Sequence, residues 1–250
     1  MEKRGQVTTF VILGIFIVAL TILIVYLRNQ YFFPATSENL NEKLAAIQGH
    51  IKDCIQNVGD EPIRRIGLQG GYLRTPSGTY RLDNDISVSY LCYNIPDKVQ
   101  CSNRMLTLEN MESQLNDALK ESLKTCININ KFERGFDLSS GVMNVNTQIG
   151  NENVLVEVVM SITLRKDEVT VKADKFSFTF DYPLGKLYDV SQDIIDVETE
   201  FGEFEQLTYM LAHRGEFVVD KKKPYPDKLY ILKAKDSDYV FQFFIQGEPS

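Results

Sequence analysis

The sequence has no tryptophan, two histidines, eight prolines and four cysteines in 250 residues. No two cysteines form a CxxC pair, and neither His50 nor His213 sits at metal-finger spacing, which argues against a zinc site. A surplus of basic side chains is also missing. Lys and Arg number 27 against 34 Asp and Glu, a net charge of −7, so no nucleic-acid partner is expected. The one basic cluster, Lys221-Lys222-Lys223 ahead of Pro224 and Pro226, reads as a solvated loop. There is no Gly-x-Ser-x-Gly elbow, and no glycine pattern of a P-loop or dinucleotide site follows a strand. Gly67-Leu68-Gln69-Gly70-Gly71-Tyr72 is glycine-rich but follows a predicted helix, as a helix stop does. The acidic run Asp193, Asp196, Glu198, Glu200, Glu203 and Glu205 lacks the alternation and central glycine of a calcium loop and reads as a solvated helix face. The residues therefore offer no catalytic, cofactor-binding or metal-binding set and no small-molecule substrate. The expectation is a protein that is not an enzyme, whose function cannot be argued from chemistry.

What the chain does have is one long apolar run. Residues 5–27 carry no charge, with Lys3 and Arg4 before them and Arg28 after, and fifteen of them are Val, Ile, Leu or Phe. At about 1.5 Å per residue these make a helix of roughly 35 Å, against a hydrocarbon core of about 30 Å. Fifteen such side chains favour insertion by at most about 5–9 kcal/mol. A cleaved signal peptide has a shorter apolar region and a small-residue site beyond it. Here the far side reads Val25-Tyr26-Leu27-Arg28, so a retained single-pass anchor in the cell membrane is expected. Lys3, Arg4 and the α-amino group outweigh Arg28, which places the N-terminus in the cytoplasm and the rest of the chain outside.

The cysteines bear on that orientation. Cys92 and Cys101 bracket an eight-residue loop with Pro96-Asp97 at its turn, suited to a local disulfide. Cys54 and Cys126 each fall on the apolar stripe of a predicted amphipathic helix, where a bond would staple the two helices. Of three pairings, 54–126 with 92–101 is favoured. The competing reading is four buried free thiols in a cytoplasmic domain; disulfides persist in oxidising compartments, so the pairing and the outward orientation support each other.

Beyond the anchor, Pro34 breaks the helix, and Thr36 or Ser37 can cap a second one with Leu40, Leu44, Ile47, Ile51, Cys54, Ile55 and Val58 at helical period. Gly59-Asp60-Glu61-Pro62 interrupts it, and a short continuation through Ile63 and Ile66 ends at Gly70-Gly71. Ile86, Val88, Tyr90 and Cys92 alternate as a strand. Thr107 opens a helix with Met111, Leu115, Leu119, Ser122 and Cys126 on one face. From Val142 the period becomes two, and a three-strand meander follows with turns at Gly150–Asn153 and Arg165–Glu168. Its third strand switches phase near Asp174-Lys175, as a β-bulge would make it do, and its Phe176, Phe178 and Phe180 read as core. Pro183 starts a long helix predicted to end near Gly215, and closing strands are predicted over 216–220, 229–235 and 239–246.

The N-terminal Lys3-Arg4-Gly5-Gln6, running straight into the apolar helix, resembles the class III signal segment of archaeal type IV pilins and archaellins. That resemblance implies cleavage between Gly5 and Gln6 and packing of the helix in a filament core. Pro34 and the large ectodomain depart from the family pattern. Over more of its length the chain is similar to a group of archaeal single-pass membrane proteins of no assigned function. The similarity rests on IGLQGGYL, the helix ending KTC, the meander and the helix opening LGKLYDV, and it implies the same topology and a Cys54–Cys126 pairing.

The expected fold is α+β: an N-terminal transmembrane helix followed by an extracytoplasmic domain of amphipathic helices packed on an antiparallel sheet. The expected organisation is a cytoplasmic stub and transmembrane helix at 1–33, a stalk helix at 34–69, a small Gly/Tyr-rich β lobe at 70–102 and an α+β core at 103–250. The expected role is protein–protein interaction at the cell surface, with the lipid bilayer as partner of the N-terminal helix and protein partners or self-association for the rest. The alternative is a pilin-like or pseudopilin subunit assembled through that helix.

Overall fold

The computed structural model describes residues 4–31, 37–95, 101–133 and 135–247. Pro34 and Thr36, the expected break and cap, lie outside them. Helix α1 runs over Arg4–Tyr31, and its side chains are described from Ile12 to Tyr26. Among the described residues no helix is long and apolar enough to cross a membrane; the side chains described in α1 cover a stretch shorter than the about 20 residues a span requires.

Helix α2 spans Ser37–Leu68. It departs from expectation by running unbroken through Pro62. Gly59 is in its interior for a packing reason: a Cβ there would stand 2.5 Å from the Phe180 ring. The predicted stripe is buried along Leu40, Leu44, Ile47, Ile51, Cys54 and Ile55, and it continues past the proline through Ile63 and Ile66. The segment read as a stalk thus lays its apolar face on the rest of the chain. Its end is a Schellman motif, in which Gly71 N–H bonds the Ile66 carbonyl at 2.7 Å and Gly70 N–H bonds that of Gly67 at 3.3 Å. Gly70 takes the left-handed φ of +68° that this motif needs.

Two sheets follow instead of one. Strands β1 (Tyr80–Asp83), β2 (Ile86–Tyr93), β3 (Ser102–Asn103), β8 (Phe217–Lys222), β9 (Lys228–Ala234) and β10 (Phe241–Ile245) form a six-stranded sheet of order β1-β2-β10-β9-β8, with β3 also on β2. All its pairings are antiparallel except β2–β10, which is parallel and sets Tyr90 beside Phe244. Through that pairing the expected Gly/Tyr-rich lobe shares a sheet with the C-terminal strands. Strands β4 (Asp137–Ser140), β5 (Asn144–Ile149), β6 (Val154–Lys166) and β7 (Val169–Phe180) form the second, antiparallel sheet, with β4 and β5 end to end along one edge of β6 and β7 along the other. The expected phase switch in β7 is present, with Asp174 and Lys175 both exposed. The extra residue of the bulge is on β6, where Met160 and Ser161 oppose Asp174.

Helix α3 covers Leu108–Cys126, and the Thr107 side chain accepts from Asn110 N–H at 3.3 Å as its cap. Its buried face is Met111, Leu115, Leu119 and Leu123; Leu123 takes the place expected for Ser122. The long helix predicted from Pro183 is two. Helix α4 (Leu184–Phe201) stops at Gly202 in a left-handed cap with φ +73°, and α5 (Gln206–Ala212) follows. Helices α2 and α3 pack on the four-stranded sheet and α4 on the six-stranded one, while α2 also reaches β10. The architecture is α+β and rich in antiparallel pairing, with a main buried apolar cluster extending from Leu40 to Ile245 and a small second one of Val88, Leu229 and Phe244.

Candidate functional site

The four cysteines form two pairs at disulfide distance. Cys54 of α2 meets Cys126 at the end of α3, Cα atoms 5.8 Å apart, and Cys92 of β2 meets Cys101 just before β3, Cα atoms 5.3 Å apart. Gly5 and Gln6, the expected cleavage residues, fall in the first turn of α1, and Lys3 lies outside the described residues.

The main polar cluster is one that the sequence reading put in solvent. Glu198 lies in the last turn of α4, three and four residues after Ile195 and Ile194, so helical period turns it into the core. Its side chain is 1 % exposed, and Lys228 Nζ on β9 stands 2.6 Å from its Oε2. Its Oε1 accepts from the Tyr230 hydroxyl and from Phe204 N–H. Just past the Gly202 cap, Glu203 gathers Lys221 (2.7 Å), Lys223 (3.1 Å) and Lys228 (3.0 Å). Lys221 also bonds the Phe204 carbonyl at 2.6 Å, and Lys228 that of Gly202. Lys221 and Lys222 are therefore strand residues, and the Lys221 ammonium is buried by its partners.

The electrostatics follow from this packing. The hydrogen bond from Lys221, then those from Lys228 and Lys223, hold the Glu203 carboxyl down at about 2 against the opposing effect of burial. Burial works against the charge on Lys228, but Glu198 and Glu203 together raise its pKa. Burial first, and the bond to Glu198 second, push the Tyr230 hydroxyl up. A cleft of about 450 Å³ opens beside this cluster, lined by Glu198, Lys228, Asn94, Cys101 and Gln246 among others. In it every oxygen of the two carboxylates already has a cationic or hydroxyl partner, an arrangement that locks the α4–α5 corner onto β8 and β9.

Two smaller clusters have the same character. Asp227, 4 % exposed, accepts from Arg81 at 2.6 Å, from the Tyr90 hydroxyl at 2.7 Å and from Gly247 N–H at 3.0 Å. Asp60 on α2 accepts from Arg64 and from the Tyr182 hydroxyl, and Arg64 lies over the Tyr182 ring at 4.7 Å. Burial and the Asp60 bond push the Tyr182 hydroxyl up to about 12.

Of the histidines, His213 stacks on Tyr209 with ring centroids 4.1 Å apart, its Nδ1 2.9 Å from the Tyr209 carbonyl oxygen. His50 lies against the Cys54 sulfur, with Nε2 3.8 Å from Sγ. Among the described residues no three His, Cys, Asp or Glu side chains are grouped to hold a metal ion. Comparison with known protein families, with curated proteins and with solved structures finds no match.

Proposed function

We propose that this chain is a membrane-anchored extracytoplasmic protein that acts by protein–protein interaction and not by catalysis. The observation that carries the proposal is the surface of α1. Every described side chain of residues 12–26 is exposed, Ile12, Ile15, Phe16, Ile22 and Val25 each by more than 60 %. An apolar surface of this extent needs lipid or protein to cover it, and in the sequence the uncharged run covers residues 5–27. The disulfide-distance pairs support an oxidising, outward location for the remainder. Protease added to intact cells tests this: it is expected to digest residues 37–247 and to spare a membrane-embedded N-terminal fragment. Full protection of the domain in intact cells, or release of the protein by alkaline carbonate, would refute the anchor or its orientation.

The same exposed helix, preceded by Lys3-Arg4-Gly5-Gln6, also supports a pilin-like subunit whose α1 packs against copies of itself. Mass measurement of the mature N-terminus separates the two. An intact start at Met1 or Glu2 favours the anchor, and a start at Gln6 favours the subunit.

A further inference from the structure

One disulfide has a histidine against its sulfur. The His50 ring, one turn before Cys54 on α2, sets Nε2 3.8 Å from the Cys54 sulfur and also faces the Cys126 carbonyl. Its other nitrogen, Nδ1, is 3.3 Å from Lys131 Nζ, on the 3₁₀ turn Ile129–Phe132 that follows α3. An ammonium can only donate, so Nδ1 accepts and the ring proton sits on Nε2, with the Cys126 carbonyl and the Cys54 sulfur as its neighbouring acceptors. Phe132 holds the ring from the side, centroids 5.7 Å apart. The two cysteines differ in access: Cys54 is 2 % exposed, whereas Cys126, the last residue of α3, is half-buried. Cys92–Cys101 has no such neighbour, since the only other histidine of the chain is stacked on Tyr209.

We propose that Cys54–Cys126 is an exchange-competent disulfide, with Cys126 as the sulfur attacked and with His50 and Lys131 as positioning residues for the thiolate that leaves on Cys54. A thiolate of an external dithiol attacks Cys126 Sγ, and the Cys54–Cys126 bond breaks with its electron pair departing on Cys54. The His50 Nε2–H donates to that thiolate as it forms, while Lys131 holds the ring in the required tautomer. The second thiol of the reductant then attacks the mixed disulfide and releases Cys126. Two electrons have passed from the dithiol, which leaves as its own disulfide, and its two protons end on Cys54 and Cys126. Stabilising the leaving thiolate speeds exchange because a better leaving sulfur departs faster. The chemistry is local and holds on whichever side of a membrane the domain stands.

The test uses the full chain purified in detergent, reduced with dithiothreitol at fixed pH, quenched with acid, alkylated and read by mass spectrometry for each disulfide. Cys54–Cys126 is expected to open before Cys92–Cys101. His50→Phe is expected to slow the first several-fold, because the thiolate leaving on Cys54 loses its hydrogen-bond donor, and to leave the second unchanged. His50→Gln, which keeps an N–H near the sulfur, is expected to recover most of the rate, a rescue that a merely packing role would not produce. Glutathione is expected to be trapped on Cys126. An unchanged rate in His50→Phe, or a mixed disulfide on Cys54, overturns the proposal. If His50→Phe does not fold, Lys131→Met on the exposed turn decides in its place, and wild-type kinetics there overturn it equally.

Discussion

Replacing Lys228 with methionine strips the one cation from a carboxylate whose side chain is 1 % exposed. Removing one partner of a buried ion pair costs about 3–5 kcal/mol, because the other charge is left desolvated. Two features of the site put the expected cost at the lower end. Glu198 keeps the hydroxyl of Tyr230 and the N–H of Phe204 on its Oε1, and the Lys228 side chain is itself 18 % exposed, so part of its field was already screened. Glu203 loses one cation but retains Lys221 and Lys223. The expected loss is about 3 kcal/mol at pH 7, which lowers Tm by roughly 6–12 °C for a chain of this size. Urea unfolding of the full chain in detergent, followed by tyrosine fluorescence because the chain has no tryptophan, measures it directly. The double variant Glu198→Gln/Lys228→Met should recover at least about 1.5 kcal/mol relative to Lys228→Met, since no buried charge remains. A deficit under about 1 kcal/mol at pH 7 would refute the account of Glu198 as a buried, lysine-dependent carboxylate.

Three further outcomes are expected. Glu203, held at about 2 when folded against an ordinary 4.5, contributes stability that is present above pH 4.5 and is lost as pH falls through that range toward 2; its side chain is 42 % exposed, so screening reduces the contribution to about 1 kcal/mol. A pH series of urea midpoints for wild type and Glu203→Gln should converge by pH 2–3, and curves parallel from pH 7 to 3 would contradict this. Gly70→Ala puts a Cβ on a residue at φ +68° and 3.1 Å from the Gln242 carbonyl oxygen, and should cost about 1–2 kcal/mol in the same titration; a neutral substitution would remove the Schellman cap from the account of where α2 ends. Deleting Cys54–Cys126, which closes a separation of 72 residues, should cost about 4 kcal/mol, against about 2–3 kcal/mol for Cys92–Cys101 with its separation of 9. Midpoints of the paired Cys→Ser variants test that order, and the reverse order would show that native-state strain or residual unfolded structure dominates.

Local pattern and long-range placement part company in this chain. The period-two run from Val142 places β5, β6 and β7 because alternation over 6–13 residues admits few alternatives, and Thr107 marks the start of α3 because a cap is a local bond. Glycine and proline mislead where they serve packing. Gly59 and Pro62 look like an interruption of the helix, but Gly59 is there to admit Phe180; Gly202 looks innocuous within an acidic run, but its left-handed cap ends α4. The parallel β2–β10 pairing joins residues some 150 positions apart, and no local pattern encodes such a partner. That one pairing turns an apparent separate lobe into one end of a six-stranded sheet.

The ion cluster was missed for a different reason, and a signal for it was present. Glutamates at 198, 200, 203 and 205 and lysines at 221, 222, 223 and 228 read as solvated when each run is taken by composition. Helical phase separates them: Leu187, Val190, Ile194 and Ile195 define the buried stripe of α4, and Glu198 continues it at i+3 and i+4 while Glu200 does not. A carboxylate on the apolar phase of a helix must find a cation or lose its charge. Its cation must therefore come from a neighbouring element, here from β9, which follows α5 and β8 in the chain. Strand parity narrows the choice on β8, where Phe217 and Val219 face inward and Lys221 shares their parity, so the middle of the apparent basic loop is the residue that folding draws in. Charge read with phase, and not charge counted by run, is what would have located this corner of the molecule.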